Sequence, residues 1–276
     1  MINRPAFFDH TGEGNFTPTP LAASPWNPRT VSGPALCGLL ARELEVNHSA
    51  EGFQPARLTI DMFKPAPAEP LRVSTTEVRA GNRIIVADAL LTSGGIEFAR
   101  ASAVFLKRSH QPQGEIWQRA TTPPTPPEIL VAQLEQHGVP LFGSDIHPDG
   151  WSMDMAQHQG VSKKRMWSRV ISLVADETPS PFVHAAIVGE AASLVTNWGS
   201  EGVGFINADL TLTLARMPRG TDLGIETDNH LSADGVATGS AVLYDQDGPV
   251  GMCVVTAVSN AARQIDLGRP LESSSR

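Results

Sequence analysis

Leu58-Thr59-Ile60 in the first half of the chain and Leu210-Thr211-Leu212 in the second lie 152 residues apart, and the correspondence continues on either side. In each triplet the apolar, polar, apolar alternation reads as a β-strand with one face turned to a core. After a one-residue slip Pro65 falls on Pro218, and the original spacing then lays Leu71-Arg72-Val73-Ser74-Thr75 over Leu223-Gly224-Ile225-Glu226-Thr227. Ile84 to Thr92 ends at Ser93-Gly94-Gly95, and Ala237 to Tyr244 ends at Asp245-Gln246-Asp247-Gly248, so two further strands each enter a glycine-bearing hairpin turn. Return strands are expected over Glu97 to Phe105 and Val250 to Val258. A register held across four successive strands argues for a duplication; two unrelated α+β domains are the competing reading.

Before each set of strands lies a helix-like run of small and apolar residues, Pro34 to Leu44 and Pro181 to Thr196. A helix rich in Ala, Gly, Leu and Val suits burial inside a curved antiparallel sheet, because small side chains let the strands close around it. The expected class is α+β, a double hotdog of two tandem helix-plus-antiparallel-sheet repeats forming one continuous unit. The divisions expected are an N-terminal hotdog over 1–109, a connector with a short helix over 110–160, a C-terminal hotdog over 161–262 and a tail over 263–276. His110 to Pro127, rich in Pro, Thr and Gln, cannot continue a sheet, and Pro127 to Gln136 reads as the short helix. Lys164 to Ala175 places Met166, Ser168, Val170 and Ser172 on one side and Trp167, Arg169, Ile171 and Leu173 on the other, as an added strand would. Leu271 to Arg276 reads as a frayed end.

Composition narrows the function. With 41% apolar and 18% charged residues the chain is an ordinary globular sequence, and its net charge of -8 would repel a phosphate backbone. No basic run with interleaved aromatics offsets that charge, so nucleic acid is not an expected partner. No apolar stretch approaches the roughly 20 residues that span a bilayer, and Met1 to Thr19 lacks the pattern of a secretory signal, which leaves a cytoplasmic location as the expectation. Cys37 and Cys253 are too few for a disulfide framework and read as small buried apolar residues.

The familiar catalytic signatures are missing. There is no Gly-x-Ser-x-Gly elbow, no phosphate-cradling Gly-x-x-x-x-Gly-Lys-Ser/Thr loop, and Gly199, Gly202 and Gly204 have the wrong spacing for a dinucleotide turn. Asp145, His147, Asp149, Asp154 and His158 crowd one loop without a helical His-x-x-x-His pair and read as solvated residues, so neither metal nor cofactor is expected. What stands out is Glu190, one carboxylate in the run Ala185-Ala186-Ile187-Val188-Gly189-Glu190-Ala191-Ala192-Ser193-Leu194. In an apolar pocket such a group is pushed toward neutrality and can act as a general base for water; facing solvent it would do nothing. Asn207 precedes Ala208 to Leu214, where Ala208, Leu210, Leu212 and Leu214 share a face, so Asn207 is expected on the other. Its amide either positions water or thioester, or bonds nearby backbone as a strand-start residue.

Val31-Ser32-Gly33-Pro34-Ala35-Leu36-Cys37-Gly38-Leu39-Leu40 resembles the Gly-Gly-containing first helix of the TesB-like acyl-CoA thioesterase II family, of actinobacterial type, a double-hotdog group. Arg57 to Pro65 resembles that family's strand ending in a basic residue and proline, Gly81-Asn82-Arg83 its following turn, and Phe205 to Pro218 the strand carrying its second active-site polar residue. The likeness covers about Phe16 to Asn260. It implies hydrolysis of an acyl-CoA substrate by an acid on the second helix, a hydroxyl or amide on the next strand and a glutamine on the last strand, in a homo-oligomer. By position Glu190 is similar to the first, with Ser193 the fallback one turn away, and Asn207 to the second. The glutamine position falls at Val255 or Thr256, a departure that leaves Thr256 as the candidate. Backbone N–H groups near Gly33 or Gly189 are the expected oxyanion donors.

Overall fold

Alternation along the strands is what lets one sheet bury one face, and the computed structural model of this protein, which describes residues 5–120, 122–147 and 150–268, shows where that face points. The elements of interest are β1 (Ala6–Gly12), β2 (Asn15–Pro18), α1 (Gly33–His48), β3 (Phe53–Met62), β4 (Leu71–Ala80), β5 (Ile84–Ser93), β6 (Ile96–Lys107), α2 (Glu128–His137), β7 (Leu141–Ser144), β8 (Lys164–Arg169), β9 (Ser172–Val174), α3 (Pro181–Gly189), α4 (Ala192–Asn197), β10 (Phe205–Asn207), β11 (Asp209–Leu214), β12 (Asp222–Ala233), β13 (Val236–Asp245) and β14 (Gly248–Ser259). One sheet runs β7-β8-β12-β13-β14-β11-β3-β6-β5-β4-β2-β1-β9, with Trp151–Ser152 beyond β7 and β10 beside β14. This is the α+β double hotdog.

The two copies join through β3 and β11, antiparallel, with Leu58 opposite Leu212, Thr59 opposite Thr211 and Ile60 opposite Leu210. Thr59 and Thr211 are also equivalent positions of the repeat, so the pseudo-twofold relating the halves passes between them. Both hairpins form as expected. Gly94 and Gly95 adopt φ +57° and +81° between β5 and β6, the pair of positive angles that a two-residue turn matching strand twist requires.

The helices lie on the inner face. Ala87, Ala99, Ala101 and Ala103 are buried there, and their small side chains leave depth for α1 and α3. Pro34 and Pro181 open their helices, where a missing N–H is harmless. The two helices run antiparallel against each other. An added Cβ at Gly38 would lie 2.7 Å from Ile187 Cγ1, so this glycine sets the closeness of their contact.

Two expectations need correction. The alternation over 164–175 predicts one strand, but β8 pairs antiparallel with β12 whereas β9 pairs in parallel with β1 at the far end of the sheet, Ala6 opposite Ser172 and Phe8 opposite Val174. Val170 and Ile171 thus link the two ends of the sheet as it wraps the helices. Both pieces face a core, so inside-outside periodicity cannot reveal the change of partner. The helix expected over Pro181 to Thr196 is likewise divided, at Glu190-Ala191. The frayed end expected at Leu271 to Arg276 lies outside the described residues.

No helix among the described residues is long and apolar enough to cross a membrane. In the connector, Tyr244 Oη donates to Pro124 O at 3.0 Å and ties the segment to the sheet. Of the acidic and histidine-rich loop, Asp145 pairs with Arg165, His147 with Gln157 and His158 with Ser144; Asp149 lies outside the described residues.

Candidate active site

Glu190 occupies the break in the second helix. Its N–H donates to Ala186 O and Val188 O, Ala191 N–H donates to Val188 O at 3.1 Å, and Ser193 N–H donates to Glu190 O at 3.0 Å. The turn is tightened from α toward 3₁₀ spacing, a geometry that often marks a functional position. The side chain lies against the backbone of Gly33: a Cβ built there would be 2.3 Å from Glu190 Oε1 and 2.5 Å from its Cδ. A methyl here would push the Glu190 carboxyl aside, so its present position depends on glycine at 33. Gly33 opens α1, and Ser32, its N-cap, makes no side-chain cap, so the carboxyl rests against a helix N-terminus left to other acceptors.

Asn207 Nδ2 donates to Glu190 Oε1 at 3.4 Å. No cation pairs with this carboxyl among the described residues. Burial pushes it up to about 7, and the Asn207 hydrogen bond opposes the rise only in part. The Cys37 and Cys253 thiols are buried nearby. Burial, with Glu190 and Cys253 beside it, holds Cys37 well above the ordinary thiol range, and burial pushes Cys253 up to about 12.

Asn207 reaches Glu190 because of a bulge that the sequence does not announce. Asn207 is opposite Ala257, whereas Thr211 is opposite Val254, so one extra residue enters the strand between them. Ala208 N–H still donates to Thr256 O at 2.9 Å, but Thr256 N–H is satisfied by the Asp209 carboxylate at 2.6 Å. A bulge of this kind resets the alternation. Asn207 consequently shares the inner side with Leu210 and Leu212, contrary to the opposite face expected from simple period two.

The remaining expected residues separate. Thr256 is exposed on the outer face of β14, whose inner side presents Cys253, Val255 and Ala257. Val255, fully buried, holds the inward position; Thr256 does not meet Glu190. Gly189 packs on the sheet, its built Cβ 3.2 Å from Cys253 Sγ, and serves helix packing. Ser193 contributes backbone: it bonds Glu190 O and accepts Asn197 Nδ2 at 2.9 Å. The structure therefore assembles Glu190, Asn207 and Gly33, leaves Gly189 and Ser193 to helix packing, and sets Thr256 on the opposite face of the sheet.

A duplicated sheet wrapped on two antiparallel helices, with one sheltered carboxyl beside an amide, defines a double-hotdog protein. The chain belongs to the acyl-CoA thioesterase family: the family's N-terminal domain matches residues 22–106 and its C-terminal domain residues 121–258. In fold it is similar to an Alicyclobacillus acidocaldarius protein with a hot dog fold, at TM-score 0.65 and 15% identity over 91% of this chain and 94% of that one. It is similar to the acyl-CoA thioesterase II TesB2 of Mycobacterium marinum, at TM-score 0.63 and 13% identity over 95% and 97%. A TesB protein of Mycobacterium avium subsp. paratuberculosis matches at TM-score 0.62 and 14% identity over 91% and 95%. No curated protein matches the sequence.

Proposed function

We propose that this protein hydrolyses an acyl-CoA thioester to the free acid and coenzyme A by carboxylate-assisted attack of water. The observation that carries the reading is the Glu190 carboxyl: sheltered, without a cationic partner among the described residues, bonded to Asn207 and pushed up to about 7 by burial. As a base it takes a proton from water while the water oxygen bonds to the thioester carbonyl carbon. Asn207 orients that water or the carbonyl. N–H groups at the start of α1 by Gly33 receive the developing oxyanion. Collapse of the tetrahedral intermediate breaks the C–S bond, and the proton held by Glu190 passes to the leaving thiolate.

A second reading, non-catalytic binding of acyl-CoA or lipid, is favoured by Val255 standing inward where the family resemblance implies a glutamine. A panel of short- to long-chain acyl-CoA, assayed for free thiol with wild type and Glu190→Ala, separates the two. Thiol release that disappears in Glu190→Ala supports hydrolysis. Binding by calorimetry without release from any member selects the second reading, and release unchanged by the substitution removes Glu190 from the mechanism. We further read the protein as a cytoplasmic homo-oligomer associating through its sheets. Met252, Val254 and Val258 expose apolar surface on the outer face of β14, which supports association there, and light scattering that gives a monomer mass would reject it.

A further inference from the structure

Thr256 gives both of its backbone groups to the bulge that turns Asn207 inward: its carbonyl accepts from Ala208 N–H at 2.9 Å, and its N–H donates to Asp209 Oδ1 at 2.6 Å. On the other side the Ala208 carbonyl accepts from Met62 N–H of β3 at 2.9 Å. A bulge interrupts the ladder and leaves a backbone group without its usual partner. Here that group is Thr256 N–H, and the Asp209 side chain takes the place of the missing carbonyl with a charge-assisted bond.

Strand chemistry by itself does not favour an acid at this position. Asp209 stands on the outer face of β11 directly opposite Asp61, and like charges facing each other across antiparallel strands are unfavourable. Asp61 is bound by Arg100 Nε at 2.6 Å, whereas the Asp209 carboxylate holds Thr256 N–H. Nor does the bulge need an acid to form. Pro55, Ala56 and Arg57 lie 152 residues before Asn207, Ala208 and Asp209, and β3 carries the same bulge against β6, with Pro55 opposite Phe105 and Arg57 opposite Val104. The repeat supplies the extra residue in both halves. Only the second half adds a carboxylate to it, and only there does the bulge carry a side-chain amide.

The placement that Asn207 requires accounts for the addition. Its Nδ2 reaches Glu190 Oε1 at 3.4 Å, a long hydrogen bond, and a slip of one residue along β14 would turn the amide to the outer face. We propose that Asp209 is a positioning residue: by binding Thr256 N–H it pins the bulge on β14 and keeps the Asn207 amide on the Glu190 carboxyl. It acts only through Asn207, because its own carboxylate is on the outer face of the sheet. The proposal rests on the hydrolytic reading of Glu190 and Asn207 and adds what holds the pair together.

The test compares acyl-CoA hydrolysis by Asp209→Ala, by Asp209→Asn, whose amide oxygen can still accept from Thr256 N–H, by Asn207→Ala and by the Asp209→Ala/Asn207→Ala double variant. Asp209→Ala should lower kcat about fivefold with KM within about twofold, Asp209→Asn should stay within about twofold of wild type, and the double variant should be no slower than Asn207→Ala alone. The rise of activity with pH through about 7 should move to higher pH in Asp209→Ala, as in Asn207→Ala, and stay in place in Asp209→Asn. Unchanged kcat and pH profile in Asp209→Ala overturn the proposal, and so do losses that multiply in the double variant. Asp209→Val, better suited to a strand, replaces Asp209→Ala if that variant fails to fold; failure of both shows that the acid holds the fold and overturns the assignment. If no acyl-CoA is turned over, the hydrolytic reading fails separately, and the Asn207 side-chain amide resonance, identified by its loss in Asn207→Ala, decides. A pH titration through about 7 seen in wild type and lost in Asp209→Ala supports the pinning; one absent from wild type, or retained in the variant, overturns it.

Discussion

The two helices that cross at the centre of the molecule each bring an acid to the start of the other, with different results. Glu45 on α1 meets Ser180, the N-cap of α3, whose hydroxyl donates to the carboxylate and also accepts from Val183 N–H at 3.2 Å. Burial raises Glu45 as well, but the serine hydrogen bond opposes the rise and the acid is spent on closing a helix end. Glu190 meets Gly33 at the start of α1, where Ser32 makes no side-chain cap and the neighbouring residue has no side chain at all. One juxtaposition is filled and structural. The other is left open, with Asn207 as its only polar side-chain partner among the described residues. Antiparallel packing sets an acid by each helix start, and residue identity there decides whether the carboxyl is bonded by the cap or left beside an uncapped turn.

The largest effect that would test this contrast is on rate. Glu190→Gln should lower thiol release by roughly a thousandfold, within the range for removing a positioned base, whereas Glu45→Gln should stay within about twofold. Equal losses in the two variants would erase the distinction.

A stability effect of opposite sign should follow. Folding raises Glu190 from 4.5 to about 7, so between those values the native state holds a proton that the unfolded chain has lost, and stability falls as pH rises through this window. Glu190→Gln should therefore be more stable than wild type by about 2 to 3 kcal/mol at pH 8.5, with little difference near pH 4.5, in urea titrations at the two pH values. A Gln variant less stable than wild type at pH 8.5 would show that the carboxylate is well solvated or paired.

Gly33→Ala introduces a methyl where Glu190 Oε1 now lies, and should cut kcat/KM about tenfold by displacing the carboxyl. Gly38→Ala meets Ile187 instead and should cost about 1 to 3 kcal/mol of stability, with its activity loss tracking the melting temperature. Asn207→Ala should lower the rate about fivefold. Wild-type activity should rise with pH through about 7 as the base loses its proton, and in this variant the rise should move to higher pH because the bond favouring the carboxylate is gone. Thr256→Val, on the outer face of β14, should leave both constants unchanged within about twofold, and a larger loss would mean that this face reaches the substrate.

Period-two alternation and the 152-residue repeat were sufficient to read the strands, both hairpins and the double-hotdog class, because burial of one sheet face writes itself into every second residue. A lone acid in an apolar helix was legible for the same reason: that composition has no solvent face to offer Glu190. The sequence was silent wherever the decision depended on a partner distant in the chain. The bulge that turns Asn207 inward exists only relative to β14, and the division of 164–175 only relative to β12 and β1. Along β14, Met252, Val254 and Val258 are as apolar as Cys253, Val255 and Ala257, so composition does not say which side faces the core or that Thr256 stands on the outer one. The contact of Gly33 with Glu190 arises from packing between segments far apart in sequence. Local pattern fixes what a segment must bury; only the assembled molecule fixes what it is buried against.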